Sequence, residues 1–413
     1  MHVSLDHSII NYTKYYYYKR KDNMYYTVKN VKVIREELAT RSNTINNLID
    51  NLFAGNEINT AVLDNTPDEG PVSLVRTRTY IRDTIQLNNH ILQAGSIILV
   101  MMNRISNPQE HYTTFKIPKR SGGLRTINAP DEELMKDMRN INTILTHQMK
   151  VLAHDSAWAY VKGRDVVSAM KEHTNNKSNW YLKTDLKDFF GSCSVDFIEQ
   201  QLKDVYPYGL LESRFNGFCK SLAEYATLNG GLPQGTPLSP IITNSIMIPI
   251  DYKINKLLNE LVEGGLLPKQ RYIYTRYADD IIISAKTKFD YELVISYIED
   301  RIFKDTPLKF NKTKTRFATS SGRNWNLGVM CNSNNQTTIG YRKKNIIKVM
   351  AHSYFADKQN DITWSVEDLQ HFQGILAWLE HVEPEYYQGF TSYLQQKYNY
   401  DLKESILQDL RLS

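Results

Sequence analysis

The sequence has few cysteines, no long hydrophobic run and no leader-like N-terminus. Its three cysteines, Cys193, Cys219 and Cys331, lie far apart, which excludes a disulfide framework and the close spacings of zinc sites. The longest apolar stretch, residues 97–102, is far shorter than the roughly 20 residues that cross a bilayer. No basic segment followed by an apolar one begins the chain, so we expect no signal peptide. These absences predict a cytoplasmic protein in a reducing compartment, without a membrane partner.

Neither sign of charge dominates the composition. The 50 Lys and Arg residues against 45 Asp and Glu residues give a net charge of +5, and 41% of the 413 residues are hydrophobic, which is ordinary for a globular protein. Such a weakly basic protein is compatible with a nucleic-acid partner. The 27 tyrosines can stack on bases, although they serve equally well in a protein core. The length predicts two or three domains.

The first hundred residues show no recognisable chemistry. Residues 1–30 are polar and include four consecutive tyrosines at 15–18 before a basic run, so they form either an arm or edge strand or a strip that touches nucleic acid. Apolar residues recur at helical spacing over 31–54 and again over 74–105, with turn-forming residues between them at 64–71. This pattern predicts an α-helical N-terminal module.

Two adjacent carboxylates stand at a tight turn in the second half of the chain. Residues 272–277 and 281–283 are aromatic or β-branched, which predicts two strands joined by a turn that contains Asp279 and Asp280. Neighbouring carboxylates repel each other unless a cation is bound, and Mg²⁺ binds through one or two carboxylates together with substrate phosphates. The alternative interpretation is a solvated turn, because aspartate is common in turns.

Two other stretches place polar residues at the end of a strand or in a tight loop. Residues 180–185 predict a strand that ends at Asp185, where an isolated aspartate would otherwise serve as a turn or cap residue. Residues 228–240 form a loop rich in glycine and proline, followed by an apolar helix at 241–250. Such a loop is typical of backbone that approaches a ligand closely.

A basic hairpin is predicted upstream of these stretches. Two short extended segments within residues 115–127 flank Ser-Gly-Gly, with Lys119, Arg120 and Arg125 close to the turn. Arginine offers a bidentate fork and lysine a point charge, so this tip could surround a triphosphate. The alternative is a solvated basic hairpin.

The C-terminal third is predicted to be mainly helical. Residues 291–303 fit a helix, and a second helix begins at Tyr341 with a basic first turn. Ser365 can cap a helix that ends before Pro384. No internal repeat is evident.

Taken in order, these stretches resemble the motifs of reverse transcriptases, and most closely those of the bacterial branch that includes retron and group II intron enzymes. The resemblance covers residues from about 110 to 400. Its most specific elements are Leu-Pro-Gln-Gly at 232–235 and Tyr-Ala-Asp-Asp at 277–280. The other elements are Lys119 to Arg125, Asp185 followed by Phe189 and Phe190, Asn311 with Lys314, and Leu327 with Gly328.

This resemblance implies an α+β fold of the right-hand polymerase type, with fingers, a ferredoxin-like palm and a helical thumb. Residues 1–105 would be an α-helical N-terminal extension, residues 106–330 the fingers and palm, and residues 331–413 the thumb. We would then expect no RNase H, maturase or endonuclease domain.

The implied activity is that of an RNA-directed DNA polymerase, a nucleotidyltransferase that uses two Mg²⁺ ions, with Mn²⁺ as an alternative. Asp185, Asp279 and Asp280 match the catalytic carboxylates, which must meet through the tertiary fold because Asp185 is distant in sequence. Lys314 matches a candidate general acid for the leaving pyrophosphate, unless it is an ordinary surface lysine. The residues implied in metal binding are Asp185, Leu186, Asp279 and Asp280.

The same resemblance implies contacts with dNTPs and nucleic acid. Lys119 and Arg125 would hold the triphosphate, and Phe190 would clash with the 2′-hydroxyl of a ribonucleotide. Gln234 and Gly235 would pack against the incoming nucleotide and the template. Contacts with the primer or template are implied for Tyr277, Leu327, Gly328, Arg342, Lys343 and Lys344.

Two elements depart from the retron pattern. Ser168 and Ala169, followed by His173, stand where retron enzymes commonly carry Asn-Ala-x-x-His, and Asn326-Leu327-Gly328 replaces their Val-Thr-Gly. The intact Leu-Pro-Gln-Gly differs from the diversity-generating branch. The profile is similar to stand-alone, defence-associated reverse transcriptases of the unknown groups, which act with a noncoding RNA against phage.

The implied partners are therefore a structured noncoding RNA template, dNTPs and the DNA product or RNA–DNA duplex. Two alternatives remain open. One is untemplated or protein-primed DNA synthesis, for which the tyrosine-rich N-terminus offers hydroxyl groups. The other is a catalytically idle RNA-binding scaffold.

Overall fold

The computed structural model describes residues 72–118, 122–320, 324–332 and 334–412. The predictions for the tyrosine-rich segment, for a helix at 31–54 and for Lys119 and Arg120 concern residues outside these ranges. Within them, no helix combines the length and the apolar character that crossing a membrane requires.

Helices and antiparallel strands make up the described chain. The helices are α1 (Val72–Met102), α2 (Glu132–Thr143), α3 (Val166–Asn175), α4 (Phe189–Ser192), α5 (Val195–Lys203), α6 (Tyr208–Arg214), α7 (Phe218–Ala226), α8 (Leu238–Ile246), α9 (Ile248–Glu263), α10 (Tyr291–Ile298), α11 (Tyr341–Gln359), α12 (Val366–Val382), α13 (Pro384–Tyr398) and α14 (Leu402–Leu412). The strands are β1 (Tyr112–Pro118), β2 (Leu124–Pro130), β3 (Trp180–Asp185), β4 (Ile273–Tyr277), β5 (Asp280–Ala285), β6 (Arg316–Thr319), β7 (Asn324–Asn326), β8 (Val329–Cys331) and β9 (Thr337–Thr338). Short 3₁₀ or π-helical turns occupy Pro108–His111, Ile144–Gln148, Glu299–Phe303 and Lys312–Lys314.

Two compact units share the chain, and their segments alternate along the sequence. The first unit comprises the described residues up to Tyr160, Lys187–Lys256 and Tyr297–Lys309. The second unit comprises Val161–Leu186, Leu257–Ser296 and the described residues from Phe310 onward.

The first unit contains the predicted hairpin, and its strand pairing is confirmed. β1 and β2 pair antiparallel from Tyr112 opposite Pro130 to Pro118 opposite Leu124. Gly122 and Gly123 adopt positive φ angles of 87° and 82° beside the turn, a conformation that glycine adopts without steric cost. Most of β1 is exposed, so this hairpin has few neighbours to fix it.

The predicted apolar helix at 241–250 is two helices, and the single-helix prediction was wrong in this respect. α8 ends at Ile246 and α9 begins at Ile248. Pro249 lies in the first turn of α9, where its missing N–H needs no partner. In the interior of one long helix the same proline would remove a hydrogen bond and clash with the preceding turn, so the helix is interrupted there.

The second unit is built on a four-stranded antiparallel sheet with the order β4-β5-β3-β6. Along the chain, helices α4 to α9 separate β3 from β4, and helix α10 separates β5 from β6. The order strand, helices, strand, strand, helix, strand is the ferredoxin-like arrangement expected for the palm. β3 and β5 are central, and their residues 180–185 and 280–285 pair throughout. The predicted strand at 180–185 and the strand-turn-strand at 272–283 are therefore confirmed.

One face of this sheet packs on a large apolar core. Tyr181 of β3 stacks on Trp325 of β7 with ring centroids 5.0 Å apart, and Ile282 of β5 belongs to the same buried cluster. The cluster continues into the C-terminal helices through residues such as Phe355 and Phe372. The core thus reaches from the central strands to the end of the described chain.

The C-terminal helices begin and end where the sequence predicts. α11 begins at Tyr341, and the Ser365 side chain accepts a hydrogen bond from the N–H of Asp368 at the start of α12. α12 ends at Val382, before Pro384. The predicted helix at 291–303 is α10 together with a π-helical turn, Glu299–Phe303.

Candidate active site

The second unit brings three carboxylates to one end of its central strands. Asp185 is the last residue of β3 and Asp280 the first of β5, and the register places them directly opposite each other. Asp279 precedes Asp280 in the turn between β4 and β5. Residues opposite each other on antiparallel strands point to the same face, so Asp185 and Asp280 share one face of the sheet.

The main chain around these carboxylates is held by hydrogen bonds. The N–H of Leu186 donates to the carbonyl oxygen of Asp279 at 3.0 Å, and the N–H of Asn311 donates to the carbonyl oxygen of Asp185 at 2.8 Å. The first bond ties the end of β3 to the turn, and the second ties it to the segment before Lys314. The positions of Asp185 and Asp279 are therefore set by hydrogen bonds of the main chain.

The turn itself contains a left-handed residue with a buried arginine beneath it. Ala278 has a φ of 56°, which is unusual for a residue other than glycine. The buried Arg276 donates from Nη1 to the carbonyl oxygen of Ala278 at 3.1 Å. Because a strained backbone conformation persists only when its surroundings stabilise it, this contact helps to fix the turn that presents Asp279.

Each of the two facing carboxylates has its own lysine. Lys314 Nζ donates to Asp185 Oδ2 at 2.8 Å, and Lys183 Nζ donates to Asp280 Oδ2 at 3.0 Å. The side chain of Lys314 is 66% exposed, whereas that of Lys183 is 20% exposed. The hydrogen bond to Asp185 raises the pKa of Lys314, so this lysine is protonated at neutral pH.

The carboxylates suit a divalent cation. Burial, with added repulsion from Asp280 and Asp185, raises the pKa of Asp279, which means that a positive charge would be stabilised there. The Oδ1 atom of Asp185 is buried, and no described residue donates a hydrogen bond to it. Carboxylate oxygens of this kind are what Mg²⁺ prefers. Among the described residues, no three His, Cys, Asp or Glu side chains already form a group able to hold a metal ion.

In the first unit, the structure brings Phe190 together with the Leu-Pro-Gln-Gly loop. The N–H of Leu232 donates to the carbonyl oxygen of Phe190 at 2.9 Å. A Cβ at Gly231 would lie 2.5 Å from the carbonyl oxygen of Gly191, so only glycine permits this close approach. Gln234 and Gly235 follow on the exposed side of the loop.

The basic residues of the hairpin are described only in part. Arg125 lies in β2 opposite Ile117, and its backbone alone is described. Lys119 lies outside the described residues.

The residues implied in primer and template contacts occupy different environments. Leu327 and Gly328 form a turn between β7 and β8 with φ angles of 45° and 104°, and a Cβ at Gly328 would lie 3.1 Å from Lys343 Nζ. Tyr277 is half-buried against the apolar core. Arg342 and Lys343 are exposed at the start of α11.

Lys344 differs from its two neighbours because it is paired within the protein. Its Nζ forms an ion pair with Glu383 and lies 4.3 Å from the centroid of the Tyr386 ring. Glu383 also accepts hydrogen bonds from Thr338 and from the N–H of Ile339. Lys344 therefore joins α11 to the segment between α12 and α13.

Lys183 and Arg276 were not singled out from the sequence. A signal for Lys183 was present, because residues two apart on a strand share a face and Lys183 therefore faces the same side as Asp185. Arg276 precedes the Tyr-Ala-Asp-Asp element, but only the fold shows that it is buried and bonded to Ala278.

Comparisons with known proteins identify the family. The sequence profile described as "Reverse transcriptase (RNA-dependent DNA polymerase)" matches residues 117–352, more than half of the chain. The chain is 26% identical over 307 residues to the Retron Ec83 reverse transcriptase of Escherichia coli, covering 73% of this chain and 91% of that protein. It is 28% identical over 295 residues to the Retron Mx65 reverse transcriptase of Myxococcus xanthus, covering 68% of this chain and 64% of that protein, just under two thirds. The structure of apo telomerase from Candida Tropicalis aligns with a TM-score of 0.40 at 14% identity, over 93% of this chain and 80% of that chain.

The molecule is thus an α+β protein with the right-hand polymerase fold. It belongs to the reverse transcriptase family and is an RNA-directed DNA polymerase. Membership of this family implies a divalent cation, an RNA template and a DNA product.

Proposed function

We propose that the protein copies a structured noncoding RNA into DNA by two-metal nucleotidyl transfer, and that this synthesis serves defence against phage. The catalytic part depends on one observation, the meeting of Asp185, Asp279 and Asp280 at one end of the four-stranded sheet. The RNA part is supported by the retron reverse transcriptases among the relatives. The defence part is supported by the resemblance of the sequence motifs to stand-alone, defence-associated reverse transcriptases.

Different residues would bind the cation and assist the departure of pyrophosphate. Asp185 and Asp279 would hold Mg²⁺, or Mn²⁺ in its place, with Asp280 and the backbone of Leu186 beside them. Bound as a pair, such ions stabilise negative charge on the attacking 3′-hydroxyl and on the leaving pyrophosphate. Lys314 is protonated and can donate a proton or a hydrogen bond to the pyrophosphate.

The remaining site residues would bind the substrates. Lys119 and Arg125 would hold the triphosphate of a dNTP. Phe190 would exclude the 2′-hydroxyl, and its position is supported by the hydrogen bond from Leu232. Gln234 and Gly235 would contact the incoming nucleotide and the template. Primer and template contacts would come from Tyr277, Leu327, Gly328, Arg342 and Lys343, with Lys344 anchoring the start of their helix.

Primer extension with the purified protein, an RNA template and dNTPs tests the catalytic proposal. Asp279→Ala combined with Asp280→Ala should reduce DNA synthesis by at least about 10³-fold, because the cation-binding carboxylate of Asp279 is lost together with its neighbour Asp280. Asp305→Ala, which removes an exposed carboxylate, is the matched control and should leave synthesis unchanged. Synthesis retained in the double variant would refute the assigned site.

The nucleic acid that co-purifies with the protein identifies the template. Sequencing should recover one structured RNA together with DNA complementary to it. Phage plaque counts on cells that express the protein should rise when the double aspartate variant replaces it. If that variant protects as well as the unchanged protein, DNA synthesis is not the basis of defence.

A further inference from the structure

Three charged side chains, those of Lys183, Asp185 and Asp280, lie on one face of the sheet. Strand alternation puts Lys183 and Asp185 of β3 on the same face. The register places Asp185 opposite Asp280, and Lys183 opposite Ile282. Lys183 is therefore the diagonal neighbour of Asp280, within reach of a long side chain. Two carboxylates directly opposite each other repel, so this end of the sheet needs compensating positive charge.

The two lysines supply that charge in different ways. Lys183 lies within a central strand, is 20% exposed, and bonds an Asp280 side chain that is 21% exposed. Lys314 belongs to a short 3₁₀ turn and is 66% exposed, while its partner Asp185 is only 6% exposed. A lysine on a rigid strand beside a half-buried carboxylate stays in place, because separating the two would leave each charge without a partner in a poorly solvated place. An exposed lysine can move into water at little cost.

We propose that Lys183 is a positioning residue that keeps Asp280 neutralised, so that Asp185 and Asp279 form the cation-binding pair and Asp280 is no ligand. Lys314 is then the ammonium that gives up its bond to Asp185 when a cation binds. This inference rests on the proposed function of the site. It makes the two adjacent aspartates of the Tyr-Ala-Asp-Asp element chemically unequal.

Removing the charge of Lys183 has a consequence that a merely structural lysine does not have. Lys183→Met leaves Asp280 as an additional carboxylate next to the cation-binding pair. The site then becomes more negative, and cation affinity rises while the geometry needed for polymerisation is disturbed. Lys183→Met combined with Asp280→Asn removes the neutral pair as a whole, so the net charge of the site is restored.

Binding of Mn²⁺, measured by electron paramagnetic resonance with the full chain and without nucleotide, tests the proposal directly. Lys183→Met should tighten Mn²⁺ binding about tenfold, since a nearby charge changes such equilibria by an order of magnitude or more. The double variant should bind within about threefold of the unchanged protein, and Lys183→Arg should do the same. Asp279→Asn should weaken binding by more than about a hundredfold.

The outcomes separate a failure of the role proposed for Lys183 from a failure of the assigned cation site. If the Lys183→Met, Asp280→Asn double variant loses more than threefold in Mn²⁺ affinity, Asp280 is a ligand and the proposal is wrong. It is equally wrong if Lys183→Met leaves Mn²⁺ affinity unchanged or weakens it. If Asp279→Asn binds Mn²⁺ normally, the assigned cation site itself fails, whatever Lys183 does. Thermal unfolding accompanies every variant, and the double variant and Lys183→Arg decide the question should Lys183→Met not fold.

Discussion

Two β-hairpins carry residues of the proposed site, and their surroundings are opposite. The β4–β5 hairpin is part of a four-stranded sheet, and its strand residues are nearly all buried. Among the residues that the structure describes, no further strand lies beside the β1–β2 hairpin, and most of β1 is exposed. A two-stranded ribbon is marginally stable by itself. The difference fits the tasks proposed for them, because carboxylates that bind cations need fixed positions, whereas long basic side chains can adjust to a triphosphate.

The largest expected difference comes from the same substitution made in both hairpins. Ile283→Ala in β5 should reduce the free energy of unfolding by about 2–5 kcal/mol, because it leaves a cavity around a side chain that is 1% exposed. Ile117→Ala in β1, where the side chain is 39% exposed, should cost less than about 0.5 kcal/mol. Urea unfolding of the two variants measures both values. Similar losses at the two positions would show that β1 is packed more tightly than its exposure indicates.

The second expected difference is that the β4–β5 hairpin, through a buried histidine, makes the stability of the protein depend on pH. His173 of helix α3 is buried against the β4–β5 hairpin and contacts both of its strands, with Nδ1 2.6 Å from Ser284 Oγ and Nε2 2.7 Å from Thr275 Oγ1. Burial lowers its pKa from 6.5 to about 3. Below pH 6.5 the unfolded chain therefore takes up a proton that the folded chain does not, and stability falls by up to about 1.4 kcal/mol per pH unit until the pH approaches the folded pKa.

Stability measured between pH 7.5 and about pH 4.5 tests this expectation. His173→Gln should remove that part of the pH dependence, leaving a flatter curve than the unchanged protein. His147→Gln, at an exposed position, is the control and should keep the original slope. Parallel curves for the unchanged protein and His173→Gln would contradict a neutral buried imidazole.

The smallest expected effect lies at the turn of the exposed hairpin. Gly122→Ala should reduce the free energy of unfolding by about 1 kcal/mol, because an alanine at a φ of 87° is strained. No atom lies within 4 Å of the added Cβ, so steric contact adds nothing. Gly374→Ala, inside helix α12 and equally free of close atoms, is the matched control and should stabilise slightly. A stabilising Gly122→Ala would mean that this turn does not adopt the left-handed conformation.

Local sequence patterns were sufficient to predict several of the helices and strands outside residues 241–250. Aromatic and β-branched residues predicted β4 and β5, and Ser-Gly-Gly predicted the β1–β2 turn, because turn and strand preferences act over a few residues. The strand ending at Asp185 was also predicted. The prediction failed at residues 241–250, where apolar periodicity hid the interruption before Pro249. The order of motifs predicted the family, and the profile match confirms that.

Contacts between distant segments were not predictable in the same way. His173 bonds Thr275 and Ser284, and Tyr354 bonds Asp409, through side chains far apart in the sequence. Lys344 looked like a free basic residue at the start of a helix, yet it is paired with Glu383. No local rule gives such pairs, since they depend on which elements pack together.

The sequence by itself determined that three aspartates, a basic hairpin and a glycine-rich loop occur in the order of a reverse transcriptase. Motifs and turn or strand preferences depend only on residues that are close together in the sequence. The tertiary structure alone decided that Asp185 lies opposite Asp280 and that each of them receives its own lysine. Strand register sets those neighbours, and register is a property of the whole sheet.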